Sequence, residues 1–472
     1  MVFVLADKKH PNILLLVSDT VRADYLGCYG HPVVQTPHID ALAANSVVFE
    51  NCHCSSFPTG PMRKDLLTGV YSALFSSWQD PLPDGQVTWP QLLKNLGYRT
   101  ARLGDTSNVR HDFGFDEESF IFGQGGGDVA DDGVYYEPPA PLDKLRTPEE
   151  RIQKLLRQEA SWASEEERFA PRTMRRAHAW LEEHRESDQP FFLMVDTFDP
   201  HEPWNPPRYY IDQYDPDYQG AELFEPAYSP ADYATEEEIQ HMRWMYAAEL
   251  TMVDRWIGFL LDGLRRMQLW DDTIIIFTSD HGFYHGEHGL MGKVHLDSAG
   301  AIIGRYPLYS TITHTPLLVK GTKAGQHRRV RGLCQPVDLL PTVLDLLETA
   351  APMSLQGVSL MSALQGGTTG RNQALSTTTL VLDSQVRCPV SYRTPEYLYI
   401  DGGDESGTEL IALSDDPQEN LNIAAEQPQL VADLHGKYWS WLQELKAPEF
   451  VLDARKEYPP KRREGIPYKK II

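Results

Sequence analysis

The run Asn12–Ser18, NILLLVS, is the stretch that decides the fold, because it is apolar along nearly its whole length. A strand that is apolar on both faces is typical of a parallel sheet covered by helices on both sides. The same pattern recurs at Phe191–Val195 and at Thr273–Thr278. Helical segments lie between these runs, the clearest of them starting at Thr235, so strand and helix alternate along the chain. The sequence therefore predicts an α/β fold with a large, mostly parallel sheet flanked by helices.

Each of these three strands runs into residues that can bind a ligand. The first is followed by Asp19, the second by Asp196, and the third by the pair Asp280 and His281. Ligands of open α/β sheets bind beyond the carboxyl ends of the strands. We therefore expect these side chains to meet at one edge of the sheet.

The stretch Cys52–Gly69, CHCSSFPTGPMRKDLLTG, is where we expect the chemistry. It places Thr59 between the strand-like run Ser46–Asn51 and a helix-like run that begins near Met62. A helix N-terminus offers unpaired N–H groups and the positive end of the helix dipole to an anion. Arg63, one turn into the helix, has the bidentate geometry to clamp a tetrahedral oxyanion. Thr59 is the candidate nucleophile; the alternative is a loop followed by a surface helix.

The composition excludes some classes of partner. The chain has 472 residues, enough for two or three domains, with 43 Lys and Arg against 67 Asp and Glu and a formal net charge of -24. Such a surface would repel a phosphate backbone, so we expect no nucleic-acid partner. A small anionic ester substrate would need a local positive centre, such as a metal ion.

The sequence carries no sign of export or membrane insertion. The N-terminal segment lacks the basic region, long apolar run and small-residue cleavage site of a signal peptide, and no later run is long enough to span a bilayer. The five cysteines are few, odd in number and without a paired framework, which fits a reducing compartment. We therefore expect a cytoplasmic protein without a membrane partner.

The pattern of predicted strands and helices changes near Gly366. Short strand-like runs at Gln373–Val381, Glu396–Ile400 and Glu409–Leu413 precede an amphipathic helix at Pro428–Leu445. This pattern predicts a small α+β domain with a short antiparallel sheet.

The chain therefore divides into three parts. Residues 1–365 form the predicted catalytic domain and residues 366–450 the small domain. Residues 451–472 form a basic, proline-containing arm, which is either a loosely packed tail or an oligomer contact. We expect a homo-oligomer.

Four of these residues would form a metal shell if their strands are neighbours: Asp19, Thr59, Asp280 and His281. A divalent cation held there would polarise a bound ester and make the Thr59 hydroxyl easier to ionise. Mixed carboxylate and imidazole ligands suit Mn²⁺ or Zn²⁺ best, with Ca²⁺ or Mg²⁺ as the alternatives. The competing interpretation is that the aspartates cap helices and that the Asp-His pair is a hydrogen-bonded structural pair.

Seven segments, in a fixed order, carry a resemblance to a known family. They are PNILLLVSDTVRADYLGCYG (Pro11–Gly30), TPHIDALAANSVVFENCH (Thr36–His53), GYRTARLG (Gly97–Gly104), DPHEPW (Asp199–Trp204), SDHGFYHGEHGLMGK (Ser279–Lys293), PVDLLPTVLDLL (Pro336–Leu347) and ELIALSDDPQENLNIA (Glu409–Ala424). From Pro11 to about Leu445 the chain resembles the sulfatase branch of the alkaline phosphatase superfamily. The resemblance implies an alkaline phosphatase-like fold and metal-dependent ester hydrolysis.

The chain departs from the family pattern at the nucleophile. In sulfatases that residue is a formylglycine made from Cys, or less often Ser, within C-x-P-x-R, and the matching position here is Thr59. Threonine is not a substrate for that conversion, and Cys54 lacks Pro and Arg at the required spacing. Thr20 stands where the family has a second acid, and Asp105–Ser107 replaces its Lys-Trp-His segment.

These departures favour phosphorus over sulfur. A formylglycine hydrate expels sulfate by elimination, whereas a modified Thr59 is released only by a second attack at phosphorus or sulfur. The pair Asp280-His281, in place of Asp-Asn, is similar to phosphonate monoester hydrolases. We expect metal-dependent hydrolysis of phosphate diesters or phosphonate monoesters, or of phosphate monoesters, through a covalent Thr59 intermediate. Sulfate ester hydrolysis is the alternative, and a phosphoryl-type transferase or a non-catalytic binding protein stays open.

The resemblance also assigns residues around the nucleophile. His201 matches a family histidine near the leaving group, and Lys293 matches a lysine that contacts the transferred group. His314 lies near the last ligand of two-metal members, so a second ion held with His201 and either Asp196 or Asp199 is an open alternative.

Where the family pattern breaks, Asp105 and His111 are candidates for substrate recognition, and His314 is another if it binds no ion. A surface turn is the alternative interpretation of the segment around Asp105.

Overall fold

The computed structural model describes residues 10–78, 80–106, 109, 111–123, 129–146, 148–321, 327–351, 354–382, 387–404 and 406–458.

The strands of the described chain form one large sheet, one four-stranded sheet and two short hairpins. In chain order they are β1 (Asn12–Ser18), β2 (Val47–His53), β3 (Arg99–Gly104), β4 (Glu117–Phe120), β5 (Phe191–Thr197), β6 (Thr273–Ser279), β7 (Tyr284–His285), β8 (Met291–Gly292), β9 (Val294–Leu296), β10 (Ile302–Arg305), β11 (His314–Lys320), β12 (Arg328–Cys334), β13 (Ala374–Thr377), β14 (Val390–Arg393), β15 (Tyr397–Asp401) and β16 (Thr408–Ala412).

The α-helices of the described chain lie between these strands and after them. In chain order they are α1 (Pro37–Ala43), α2 (Thr59–Thr68), α3 (Trp89–Asn95), α4 (Glu149–Ser161), α5 (Phe169–His184), α6 (Arg208–Ile211), α7 (Glu236–Arg266), α8 (Ser310–Thr313), α9 (Leu339–Leu346), α10 (Met361–Leu364), α11 (Pro428–Glu444) and α12 (Glu449–Arg455).

The large sheet has the order β12-β2-β11-β6-β1-β5-β3-β4. Its neighbouring strands are parallel except where β11 pairs with β2 and with β6. β1 lies between β5 and β6, and Ser18 is in register with Thr197 and Ser279. The predicted mostly parallel sheet is confirmed, and the segments after β1 and β6 leave it at the same level.

The run NILLLVS is apolar because both faces of β1 are covered. Leu14 and Leu16 pack into one hydrophobic core, and Ile13, Leu15 and Val17 pack into the other. Full burial of such a side chain contributes roughly 1.5–3 kcal/mol, so this central strand is strongly fixed in place.

The predicted helix beginning after Thr235 is confirmed as α7. The Thr235 hydroxyl accepts a hydrogen bond from Glu238 N at 3.2 Å, and the Glu238 carboxylate accepts one from Thr235 N at 2.8 Å. This capping box satisfies two of the N–H groups that a helix start leaves free. α7 packs its apolar face against α1, α5 and α6, so it covers one side of the sheet.

The small C-terminal domain is also as predicted, with an antiparallel sheet and a packed helix. β13, β14, β15 and β16 pair in that order, each antiparallel to the next. Tyr392 and Tyr399 of this sheet share a hydrophobic cluster with Tyr438 of α11. The sequence did not predict β14, because no apolar run marks it.

The predicted C-terminal arm starts inside α12. Val451 and Arg455 are buried, and the Arg455 guanidinium lies 3.1 Å from the Asp401 carboxylate. This part of the arm therefore packs on the small domain, while residues 459–472 lie outside the described residues.

All five cysteines are free thiols. Within the described ranges, no helix combines the length and apolar character needed to cross a bilayer.

Candidate active site

The carboxyl edge of the large sheet brings three of the predicted metal ligands together. Asp19 follows β1, and Asp280 and His281 follow β6, which is the neighbour of β1. One ligand atom from each lies within 4.8 Å of those of the other two, and all three side chains are fully buried. Oδ2 of Asp19 has no hydrogen-bond partner in the described chain. A buried carboxylate oxygen without a partner is costly, which is the condition a bound cation would relieve.

Thr20 donates a hydrogen bond to each of the two carboxylates. Its N–H donates to Asp280 Oδ1 at 2.9 Å, and its hydroxyl donates to Asp19 Oδ1 at 2.7 Å. Its φ of 63° is in the left-handed region, which a β-branched residue rarely adopts and which costs roughly 1–3 kcal/mol. The backbone is thus strained at the point where the family pattern has a second acid.

Thr59 is the first residue of α2, at the strand-to-helix turn predicted from the sequence. Its hydroxyl oxygen lies 3.3 Å from Nε2 of His281. All ten residues of α2 are buried, so the alternative of a loop leading into a surface helix is wrong. Met62 packs into the hydrophobic core beside the sheet.

Two separate anchors hold the turn that presents Thr59. Asp65 of α2 accepts hydrogen bonds from the Ser55 hydroxyl and from Ser56 N, the latter at 2.9 Å. Phe57 N donates to Thr377 O of the small domain at 2.8 Å. The small domain therefore braces the segment on which the candidate nucleophile sits.

Arg63 faces the carboxylates of the sheet edge. Its guanidinium pairs with Asp280, lies 2.7 Å from Asp196 Oδ1 and lies 3.6 Å from Asp19 Oδ2. Asp196 also pairs with Arg102 at 2.9 Å. The structure thus shows Arg63 as a buried counter-ion, and its role as a clamp on the substrate stays a prediction.

The pKa values of the two carboxylates of the cluster are shifted in opposite directions. Burial, together with the nearby charge of Asp280, raises the pKa of Asp19 well above its ordinary value. Burial also acts to raise the pKa of Asp280, but His281 and the ion pair with Arg63 outweigh it and hold that pKa below its usual range. Two like charges in one dry site disfavour each other, and a divalent cation would remove the conflict.

His281 is held as a neutral imidazole. Its Nδ1 lies 2.9 Å from Gly282 O, and since a carbonyl oxygen only accepts, Nδ1 carries the proton and Nε2 is the acceptor. Burial lowers the pKa of His281 to about 4. A neutral ring with a free Nε2 is the form that binds a metal ion. The donor set of Asp19, Asp280 and His281, with the Thr59 hydroxyl beside it, therefore fits a divalent cation.

A cavity of about 320 Å³ opens next to Thr59. Four basic side chains line it, from Arg146, His201, Lys293 and Arg305, and Trp78 forms part of its wall. This is the local positive region that an anionic substrate requires in a protein of strongly negative net charge. His201 and Lys293, both assigned by the resemblance, thus lie at the same cavity as the candidate nucleophile.

The chain matches a known protein family over most of its length. The family model described as Sulfatase matches residues 11–349. The chain belongs to the sulfatase family. It is a hydrolase of that family, whose members use a divalent metal.

Its relatives span most of its length. It is 28% identical over 379 residues to "Uncharacterized sulfatase YidJ" of Escherichia coli (strain K12), covering 75% of this chain and 71% of that protein. It is 26% identical over 496 residues to "Arylsulfatase K" of Bos taurus, covering 97% of this chain and 86% of that protein. The solved structure of phosphonate monoester hydrolase SpPMH from Silicibacter pomeroyi superposes with a TM-score of 0.72 at 22% identity, over 97% of this chain and 100% of that one. At that identity the likeness shows the fold, which is alkaline phosphatase-like.

Two residues predicted to bind substrate lie elsewhere in this sulfatase-family protein. Nε2 of His314 is 2.8 Å from Glu50 O, and its ring stacks on that of His53. Asp105 is fully buried and accepts a hydrogen bond from Phe198 N at 2.7 Å. Neither side chain lines the cavity beside Thr59. The substrate-binding roles of His314 and Asp105 stay predictions that this cavity does not support, and Asp105 itself is buried instead of exposed in a surface turn.

The side chains considered for a second metal ion do not form a group of ligands either. His201 lies at the cavity, but His314 bonds to the Glu50 carbonyl and Asp196 is neutralised by Arg63 and Arg102. Across the described ranges, the cluster after β1 and β6 is the single group of three close metal-ligating side chains.

Sequence reasoning missed two features of this sulfatase-family site. Arg102 is a charged residue inside the buried strand β3, and that position alone signals a buried ion pair. Glu202 follows His201 in DPHEPW and is fully buried behind the cavity, with Tyr228 and Arg146 against it. An acid between a histidine and a proline gives no sign of burial by itself.

Proposed function

We propose that the protein is a metal-dependent hydrolase of phosphate diesters or phosphonate monoesters, with phosphate monoesters as a further substrate class, acting through a covalent intermediate on Thr59. One observation carries the proposal. A threonine hydroxyl, at the start of a buried helix, lies 3.3 Å from a neutral imidazole nitrogen and beside two carboxylates that fit a divalent cation.

The choice of phosphorus follows from the chemistry of threonine. In the first step the Thr59 oxygen forms a bond to phosphorus while the bond to the ester oxygen breaks and the alcohol leaves. In the second step water attacks phosphorus and the bond to Thr59 breaks, so that ester and water give alcohol and acid. Threonine carries one oxygen on its β-carbon, so it has no route to release sulfate by elimination.

The residues around the cavity have separate roles in binding the cation and the substrate. Asp19, Asp280 and His281 would hold the cation, which when bound supplies a Lewis acid for the ester and favours ionisation of the Thr59 hydroxyl. Lys293 brings an ammonium group to an anionic substrate, and the start of α2 adds the positive end of its dipole. His201, whose pKa burial lowers well below its usual value, is neutral and offers an acceptor nitrogen.

Sulfate ester hydrolysis is the second candidate function. It is favoured by family membership and by relatives whose names are those of sulfatases. A phosphoryl-type transferase would use the same Thr59 but pass the group to an acceptor other than water.

The test is a panel of aryl phosphate, phosphonate and sulfate esters, assayed with Mn²⁺, Zn²⁺, Mg²⁺ and Ca²⁺ in turn. We expect the fastest turnover for a phosphate diester or phosphonate monoester with Mn²⁺ or Zn²⁺. Faster turnover of the sulfate than of every phosphorus ester would reverse the ranking, and product formation only with an added alcohol acceptor would indicate a transferase.

We further propose a cytoplasmic location, which the five free thiols support because they fit a reducing compartment.

A further inference from the structure

Glu202 is a buried acid that the proposed reaction does not use directly. It follows His201 in the chain, its side chain is fully buried, and it lies behind the cavity that contains Thr59. A buried carboxylate is costly unless positive charges and hydrogen bonds surround it, so its environment is informative.

The two oxygens of Glu202 have different surroundings. Oε1 accepts a hydrogen bond from the Tyr228 hydroxyl and one from Arg146 at 3.3 Å. Oε2 has no hydrogen-bond partner in the described chain, and it lies 3.6 Å from Nζ of Lys293 and 3.2 Å from Nδ1 of His201. Oε1 is therefore fixed by the protein scaffold, and Oε2 faces His201 and Lys293, which are both part of the cavity lining.

Arg146 does not neutralise Glu202 alone. It is shared with a second buried acid, Glu225, whose carboxylate is 3.8 Å away, and its guanidinium stacks on the Tyr228 ring at 4.4 Å. Glu225 has a further partner in Arg151. For Glu202 the remaining counter-ion is the ammonium group of Lys293, at a distance longer than a direct hydrogen bond.

The same residue fixes the form of His201. Nδ1 of His201 is 2.7 Å from the backbone oxygen of Glu202, and because a carbonyl oxygen only accepts, Nδ1 carries the proton. The ring also stacks on Phe198 with centroids 3.9 Å apart. His201 is thus held in one orientation with Nε2 as an acceptor.

We propose that Glu202 is a positioning residue. Its Oε2 holds the ammonium group of Lys293 at the cavity, and its backbone oxygen fixes the orientation of the neighbouring His201. Lys293 then meets an anionic substrate from one fixed place. Glu202 acts through these side chains and does not touch the substrate. The inference rests on the proposed function as far as the reaction is concerned, but the position it assigns to Lys293 is testable without turnover.

The test compares Glu202→Gln with Glu225→Gln, a matched control that removes a neighbouring buried charge from the same Arg146. Each is made in the wild type and in Lys293→Met. If Glu202 acts through Lys293, Glu202→Gln should lower kcat/KM by about tenfold or more in the wild type and change it little in Lys293→Met. Glu225→Gln should have the same small effect in both backgrounds, and Glu202→Asp, which retains the charge, should recover part of the loss. An equal loss from Glu202→Gln in both backgrounds would overturn the proposal.

A second variant keeps the proposal testable if Glu202→Gln does not fold. Lys293→Met removes the ammonium group and leaves Glu202 in place, so we expect the affinity for inorganic phosphate to fall by about tenfold or more. A phosphate affinity equal to that of the wild type would show that Lys293 does not face the bound anion, and would overturn the proposal.

Binding of inorganic phosphate separates this inference from the proposed function. Calorimetry of the metal-loaded protein should show that Glu202→Gln changes the phosphate affinity in the wild type but not in Lys293→Met, and that Glu225→Gln leaves it unchanged in both. If no ester of the panel is hydrolysed but this coupling is seen, the proposed function fails and the role of Glu202 stands. If esters are hydrolysed but the coupling is absent, the role of Glu202 fails alone.

Discussion

The hydroxyl oxygen of Thr59 lies 3.3 Å from Nε2 of His281, although the two residues are 222 positions apart in the chain. Thr59 follows β2 and His281 follows β6, and β11 lies between these strands in the sheet. The segment that enters β11 bonds to both sides, because Ile312 O accepts from Gly282 N and Thr313 O accepts from Cys54 N, each at 2.7 Å. This bracing fixes the distance between the candidate nucleophile and the cluster of ligands.

The identity of residue 59 should decide between phosphorus and sulfur. Thr59→Cys restores the C-x-P-x-R pattern with Pro61 and Arg63. When this variant is produced together with a formylglycine-generating enzyme, we expect its turnover of aryl sulfates to rise at least about tenfold over the wild type, and its turnover of phosphonates to fall. The measurement is a comparison of kcat/KM for the two ester classes, with mass spectrometry to confirm the conversion. A converted variant with unchanged ester preference would show that residue 59 does not set it.

Arg63 should stabilise the fold as a counter-ion for three buried carboxylates. Replacing it by Met leaves those charges uncompensated, and we expect a loss of about 3–5 kcal/mol in the free energy of unfolding of the metal-free protein. Urea denaturation measures it. The control is Arg99→Met, which removes a surface pair with Glu117 at 3.1 Å and should cost about 0–1 kcal/mol. Equal losses in the two variants would contradict the assigned role of Arg63.

Thr20 should tune the choice of metal. Thr20→Asp adds a third carboxylate beside Asp19 and Asp280, and each additional hard oxygen ligand favours Ca²⁺. We expect the affinity for Ca²⁺ relative to Mn²⁺ to rise by about tenfold, as measured by calorimetry. Thr20→Asn is the control, since it tolerates the left-handed backbone equally well and adds no charge. A rise in both variants would point to relief of backbone strain instead of charge.

Asp254 of α7 should make stability depend on pH away from the active site. It accepts hydrogen bonds from His38 N at 3.1 Å and Ile39 N at 2.7 Å, at the start of α1. Burial raises its pKa from 3.8 to about 7.

The folded protein therefore binds a proton at Asp254 that the unfolded chain has already lost, so this contribution to stability falls as the pH rises from about 4 to about 7. Thermal denaturation of the wild type and of Asp254→Asn over this range measures it. We expect a flatter pH dependence in the variant. Parallel curves would show that Asp254 is ionised in the folded state.

Local sequence pattern was enough for the parts of the fold that a single strand or helix determines. The run NILLLVS gave the bounds of β1 without error, because both of its faces are buried, and Thr235 with Glu238 gave the start of α7, because a capping box is a local motif. The antiparallel direction of β11 could not be predicted, since pairing with β2 and β6 depends on contacts far apart in sequence.

The candidate site shows the same limit. Acids at strand ends predicted that Asp19, Asp280 and His281 would meet, and the structure brings them together. The partners of Arg63 and the burial of Asp105 and Glu202 depend on how loops pack over the sheet edge. The sequence of a loop does not show whether its side chains will be buried.

Acid-quenched mass spectrometry of the protein during turnover of a phosphate diester or phosphonate monoester tests the central claim most directly. We expect a phosphoryl or phosphonyl group on the peptide that contains Thr59, absent in Thr59→Ala, whose turnover should fall by about 10³-fold or more, while Thr59→Ser keeps part of it. An unmodified Thr59 in a fully active wild type, together with near wild-type turnover by metal-loaded Thr59→Ala, would contradict the account and identify water as the attacking group.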